Sequence, residues 1–178
     1  VNHLTHLDIQ TTSEQNNEFG ALLLTQTNLK TLKLSAEYMA DFESIGRFLH
    51  QAQLTRLEIT TQMDNNLEVV SELNTTTLTH IALERCEICN IHMQTLAANG
   101  PQLTQLQSLS LCGNGTISNS SIPGLSKLLS YTSLLTHLNI GRCGFVPSAS
   151  TGLAQCLSPL TQLRFLSLEL THLNGTVH

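Results

Sequence analysis

Apolar and polar positions alternate along this chain in one short phrase, leucine-x-x-leucine-x-leucine, that returns seven times. The copies are Leu4/Leu7/Ile9, Leu29/Leu32/Leu34, Leu54/Leu57/Ile59, Leu78/Ile81/Leu83, Leu106/Leu109/Leu111, Leu135/Leu138/Ile140 and Leu163/Leu166/Leu168. Their first members lie 25, 25, 24, 28, 29 and 28 residues apart. A sustained period in the twenties with one short strand per unit is the mark of a solenoid. Within each copy the second and third apolar residues flank one polar or small residue, as in Leu-Asp-Ile or Leu-Lys-Leu, so each copy is a strand with one buried face. The strands are expected near 6–10, 31–35, 56–60, 80–84, 108–112, 137–141 and 165–169. Two dozen residues between equivalent strands require crossovers, hence a parallel sheet.

The intervening segments carry helical periodicity. Residues 14–25 are expected to form a helix burying Phe19, Leu22 and Leu23. Phe42, Ile45, Phe48 and Leu49 share one face, as do Leu67, Val70 and Leu73. The same holds for Met93, Leu96 and Ala97, for Leu125, Leu128 and Leu129, and for Leu153, Cys156 and Leu157. Asn99-Gly100-Pro101 reads as a helix end, Ser121 with Pro123 as a helix start, and Pro159 as a stop.

Three residues past each last strand leucine stand Thr12, Glu37, Gln62, Cys86, Asn114, Cys143 and Thr171. The chain must turn sharply out of the strand there, and a buried Asn, Thr or Cys can bond the backbone groups left without sheet partners. Segments 78–88 and 135–145 fit the extended phrase L-x-x-L-x-L-x-x-[NC]-x-[LI], with Phe145 closing the second. That phrase resembles the leucine-rich repeat. Periods of 28 and 29 are similar to its ribonuclease-inhibitor-like class, and the cysteines at the turn are similar to its cysteine-containing class. The resemblance spans essentially the whole chain. It implies an α/β right-handed solenoid, a horseshoe with a parallel sheet on the concave face and helices on the convex face. It also implies protein binding, because such repeats mostly serve as recognition surfaces. Glu37 and Gln62 depart from the pattern, so irregular turns and looser packing are expected in the first three repeats.

Composition narrows the functional classes. The 178 residues are 40% hydrophobic and mean hydropathy is near zero, which fits a globular domain and no membrane partner. Eight Lys and Arg against thirteen Asp and Glu give a net charge of −5, a poor footprint for nucleic acid. The N-terminus shows no charged-then-apolar leader. The chain starts inside a repeat and carries no recognisable polar cap, so a segment of a longer array is expected. The five cysteines have no paired spacing, which favours reduced thiols in a cytoplasmic chain. Secretion into a host cytosol by a bacterium is the alternative location. Four N-x-[ST] sequons, at Asn74, Asn114, Asn119 and Asn174, are read as chance in an Asn- and Thr-rich sequence.

Candidate chemistry is thin. Cys86, Cys89 and His92 form a C-x-x-C-x-x-H string, but a zinc site needs a fourth ligand and Cys86 is already accounted for at the turn. Cys86 and Cys143 lie two repeats apart, about 10 Å, beyond disulfide reach. Cys112, outward and flanked by Arg85 and Arg142, lacks an assignable base or oxyanion site. His6, His80 and His137 share a repeat position but are too far apart for a triad. No catalytic residue, metal site or cofactor is expected, and no enzyme activity.

The outward strand positions form rows about 4.8 Å per step. One row is His6, Thr31, Arg56, His80, Ser108, His137 and Phe165. The next begins Asp8, Lys33, Glu58 and includes Asn139. The third includes Glu84, Cys112 and Glu169, with Arg85 and Arg142 beside it. These rows can be a plain solvated face. Their mix of arginines, histidines and an aromatic is also what partner surfaces use. The expected partner-binding set is therefore His6, Asp8, Lys33, Arg56, Glu58, His80, Glu84, Arg85, His137, Asn139, Arg142, Phe165 and Glu169, on a monomeric module binding a protein. Two other roles remain open: a bacterial effector acting on host proteins, and the substrate-recognition segment of a larger ubiquitin ligase or other enzyme. The shared row of histidines would make binding pH-dependent.

Overall fold

A computed structural model describes residues 4–11, 19–36, 42–61, 67–73 and 76–169. Seven strands are formed by the recurring phrase: β1 His6–Thr11, β2 Thr31–Ala36, β3 Arg56–Thr61, β4 His80–Glu84, β5 Ser108–Ser110, β6 His137–Asn139 and β7 Phe165–Ser167. They make one parallel sheet in chain order. Six helices fill the crossovers: α1 Phe19–Leu24, α2 Phe42–Gln51, α3 Leu67–Ser71, α4 Asn90–Ala98, α5 Ile122–Tyr131 and α6 Ser150–Leu157. Each helix packs against the next. Helices stack at about 8–10 Å and strands at about 4.8 Å, so the stack bends with the sheet inside.

The core lies between sheet and helices. The inward apolar strand residues of repeats two to six, such as Leu32, Leu57, Ile81, Leu109 and Leu138, are at most 2% exposed. Helical residues Ile45, Phe48, Leu49, Met93, Leu96, Leu125 and Leu128 meet them. The looser packing expected in the first three repeats holds for repeat one, where Leu4 is exposed and Leu7 and Ile9 are only partly buried, but repeats two and three are tight: Leu29, Leu34, Leu54 and Ile59 are buried. The early turn positions Thr12, Glu37 and Gln62, and Thr171 at the far end, lie outside the described residues, as do Asn74, Asn174 and residues 14–18.

Leu22, expected in the core, is instead 49% exposed while Leu23 is fully buried. Adjacent helical residues point about 100° apart, and the single row of contact with the sheet accepts only one of them. Val69 joins Val70 inside although the periodicity singled out only Val70. Helix α4 ends at Asn99, followed by a 3-10 turn over Gly100–Gln102, and α5 follows a 3-10 turn over Asn119–Ser121. Strands β5 to β7 are shorter than the five residues expected. Asn139 Oδ1 accepts the Gly141 N–H at 3.1 Å, curling the chain just past β6.

Candidate functional site

The turn after each strand fixes where the outward side chains end. Asn114 is wholly buried, and its amide makes four bonds. Its Oδ1 accepts the Cys86 and Ile88 N–H groups at 2.9 and 3.0 Å. Its Nδ2 donates to the Leu83 and Leu111 carbonyls at 2.8 and 2.7 Å. One side chain thus staples two repeats. Cys86 donates its thiol hydrogen to the Ile59 carbonyl, and Cys143 donates to that of Leu111, each at 3.3 Å. Burial pushes both thiols up to about 12, keeping them protonated. Just before these three residues the chain takes a left-handed step, at Arg85 (φ 55), Gly113 (φ 78) and Arg142 (φ 55). That step throws both arginine side chains to the exposed border of the sheet.

The C-x-x-C-x-x-H string resolves into structural parts. Cys86 serves the turn, while the Cys89 N–H donates to His92 Nδ1 at 3.0 Å at the start of α4. Burial lowers the His92 pKa, which keeps that nitrogen an acceptor. Among the described residues no three His, Cys, Asp or Glu side chains are grouped to hold a metal. None of the described helices is long and apolar enough to cross a membrane. Two sequon asparagines are also occupied. Asn114 is buried, and Asn119 Nδ2 donates to Ser148 Oγ while its Oδ1 accepts the Val146 N–H.

On the outward face, strand register aligns His6, Thr31, Arg56, His80, Ser108, His137 and Phe165 in a single row. Asp8, Lys33 and Glu58 align in the next. The charges are largely neutralised locally. Lys33 Nζ lies 3.8 Å from Asp8, Arg56 Nε donates to Glu58 at 2.6 Å, and Arg142 Nε donates to Glu169 at 3.0 Å. The Glu169 carboxylate raises the Arg142 pKa. Glu84 accepts the Ser110 hydroxyl at 2.5 Å. Asn139 is half-buried and spent on its own turn, so it contributes less to the face than its neighbours. An open hollow of about 510 Å³ lies over β1 to β3, lined by His6, Leu7, Asp8, Thr31, Lys33, Arg56 and Glu58.

Toward β7 the face changes character. Phe165 is 50% exposed and stacks on His137, with ring centroids 5.9 Å apart and planes at 26°. His80 is half-buried, and its pKa is lowered first by burial, then by the charges of Arg56 and His137, with Glu58 opposing. His80 therefore feels the charge of His137 across Ser108, although the two cannot share a substrate atom. Each is backed by a threonine: Thr79 Oγ1 lies 2.8 Å from His80 Nδ1, and Thr136 Oγ1 lies 2.8 Å from His137 Nδ1. The motif was visible in the sequence as Thr-His at 5–6, 79–80 and 136–137.

No family model matches the sequence, and no curated protein matches it. Solved structures do. An internalin (inlF) from Listeria monocytogenes matches with a TM-score of 0.58 and 21% identity, over 88% of this chain and 38% of its own. TLR13, in its complex with ssRNA13, gives 0.46 and 21% over 82% of this chain and 23% of its own. The chain thus spans well under half the length of these structures. Sheet, helices and structural likeness together make the fold a leucine-rich-repeat solenoid.

Proposed function

We propose that this solenoid is a recognition module that binds a partner protein on the concave face of its sheet. The observation that carries this reading is the single register of seven strands, which sets Arg56, three histidines and an exposed phenylalanine in one row on one surface, with Arg85 and Arg142 at its border. Such a face is about 30 Å along the stack, the scale of a protein interface. Arg and aromatic residues are the usual anchors there. The Cys86 and Cys143 turns and the later periods of 28 and 29 support reading these as ribonuclease-inhibitor-like, cysteine-containing repeats. Both thiols spend their hydrogen on a carbonyl, a use a disulfide would end, which supports a reducing, cytoplasmic setting.

The test is affinity capture from cytosolic extract with identification by mass spectrometry. Wild type is compared with an Arg56→Glu, Arg142→Glu, Phe165→Ala variant shown to be folded by circular dichroism. A protein retained by wild type alone supports recognition through this face. Equal retention by both forms moves the binding surface to the helical side.

A further inference from the structure

We propose that the margin of the sheet where the strands begin is a docking surface for a carboxylate-rich segment of a partner protein, gripped by His80 and His137 in their protonated state. This rests on the concave-face reading above and adds the chemistry of the partner.

The first observation is an asymmetry of charge across the face. Backbone bonds run from Lys30 to Thr5 and on through Thr55, Thr79, Gln107 and Thr136 to Arg164, aligning the residues that precede the strands. That row and the one beside it carry Lys30, Arg164, Arg56 and the three histidines, and neither contains an Asp or Glu. The carboxylates Asp8, Glu58, Glu84 and Glu169 all stand further along the strands. At neutral pH the margin is weakly basic, because Arg56 is held by Glu58. Protonating the histidines is what makes it strongly cationic.

The second observation assigns the tautomers. Thr79 Oγ1 also lies 3.0 Å from the Thr55 carbonyl, and Thr136 Oγ1 lies 3.0 Å from that of Gln107. A carbonyl can only accept, so each hydroxyl hydrogen is spent on it. The nearby imidazole nitrogen Nδ1 must then carry its own hydrogen and donate to the threonine. Nε2 is left as a lone pair at neutral pH, which repels a carboxylate. Below the histidine range Nε2 gains a proton and becomes a charged donor with no change of ring orientation. The anchored threonines therefore hold two rings, about 10 Å apart across Ser108, ready to reverse their sign toward a ligand.

The groups facing them are few. His80 meets Arg56 and Glu58 from β3, Ser108 from β5 and His137 from β6. His137 meets Ser108 on one side and Phe165 on the other, whose ring offers a cation–π contact to the charged form. Arg56 and His137 oppose protonation of His80, so a bound carboxylate is what brings its charge in. A nucleic-acid strand is disfavoured: the chain has only eight Lys and Arg, its net charge is −5 with the histidines neutral, and a phosphate backbone would run on over Glu58 and Glu84.

The probe is a fluorescently labelled hexaglutamate peptide, still mostly ionised at about pH 5.5, followed by anisotropy at about pH 5.5 and 7.5. Hexalysine and a uridine hexanucleotide are the comparators, and circular dichroism checks folding at both pH values. The expected result is about tenfold tighter hexaglutamate binding at the lower pH, from two added exposed charge pairs. The gain should vanish in a His80→Gln, His137→Gln variant. Arg56→Gln should weaken binding at both pH values yet keep the gain. Equal affinity at the two pH values, a gain that survives the double histidine variant, or tighter binding of the oligonucleotide each overturns the proposal. The capture experiment reads this face whatever the partner's charge. A captured partner without hexaglutamate binding therefore overturns the acidic-segment proposal alone.

Discussion

Strands β1, β2 and β3 each hold six residues in register, whereas β5 and β6 hold three. The loss of the sixth residue can be traced to one repeat position. In the early repeats that position is Thr11, Ala36 and Thr61, and it stays paired in the sheet. In the later repeats it is Arg85, Gly113 and Arg142, and it takes a left-handed turn. Two of the early residues are β-branched threonines, which resist positive φ. The later turn is rewarded at once by the next residue, Cys86, Asn114 or Cys143, whose side chain bonds backbone groups inside the stack. The turn residue thus decides whether the sixth strand position stays in the sheet, which β4 shows by running through Glu84 and stopping at the left-handed Arg85, and the apolar positions of the strand are the same in both halves.

The sharpest way to break this comparison is Asn114→Ala. It leaves two buried N–H groups and two buried carbonyls without the amide, at about 1–3 kcal/mol for a group that finds no other partner. A loss of about 4 kcal/mol in urea unfolding is expected, with faster amide exchange around β4 and β5 than around β2. Gly144→Ala comes next. A Cβ there would stand 2.1 Å from the Gly115 carbonyl oxygen, where the Gly144 N–H bonds Ile117, and backbone must move. About 3 kcal/mol is expected from the same measurement.

A smaller effect comes from His92 and His80, both lowered by burial below the ordinary 6.5. Their neutral forms belong to the folded state. The stability they contribute is complete above about pH 6.5 and is lost as pH falls through the lowered folded values. The melting temperature should therefore drop from pH 7.5 to 5.5, and His92→Gln, which keeps an acceptor for the Cys89 N–H, should flatten that drop. Smallest of all is Lys33→Ala in the early repeats. Its exposed pair with Asp8 is expected to contribute at most about 0.5 kcal/mol. A larger loss would show that the early sheet leans on its surface charges in a way the later one does not.

The sequence made the rows legible because a fixed period sets equivalent residues beside each other whatever the details of packing. That is why His6, Arg56, His80, His137 and Phe165 could be aligned from spacing alone. Strand ends were not legible, since they depend on a left-handed step that Arg85 and Arg142 take at some conformational cost and that no periodicity reports. Leu22 was misplaced because a leucine triplet says nothing about which member meets the sheet. The Cys89–His92 contact is a helix-start box written in unusual residues, so spacing alone showed a ligand-like string short of a fourth ligand and not the bond it makes. The threonines that fix the histidine tautomers were visible only as a repeated dipeptide, and their meaning needed the carbonyls of the preceding repeat.

Asn114 is followed by Gly115, the dipeptide in which an asparagine amide is most readily lost through attack by the next backbone nitrogen. In the folded chain the amide is held on both its oxygen and its nitrogen, so it cannot swing toward Gly115. Each excursion out of the fold would release it. An aspartate formed during such an excursion could still accept from Cys86 and Ile88, but it would face the Leu83 and Leu111 carbonyls with a charge and no hydrogen to give. The fold therefore protects the residue on which its middle depends from chemical ageing, and a molecule that has aged while open would close poorly again.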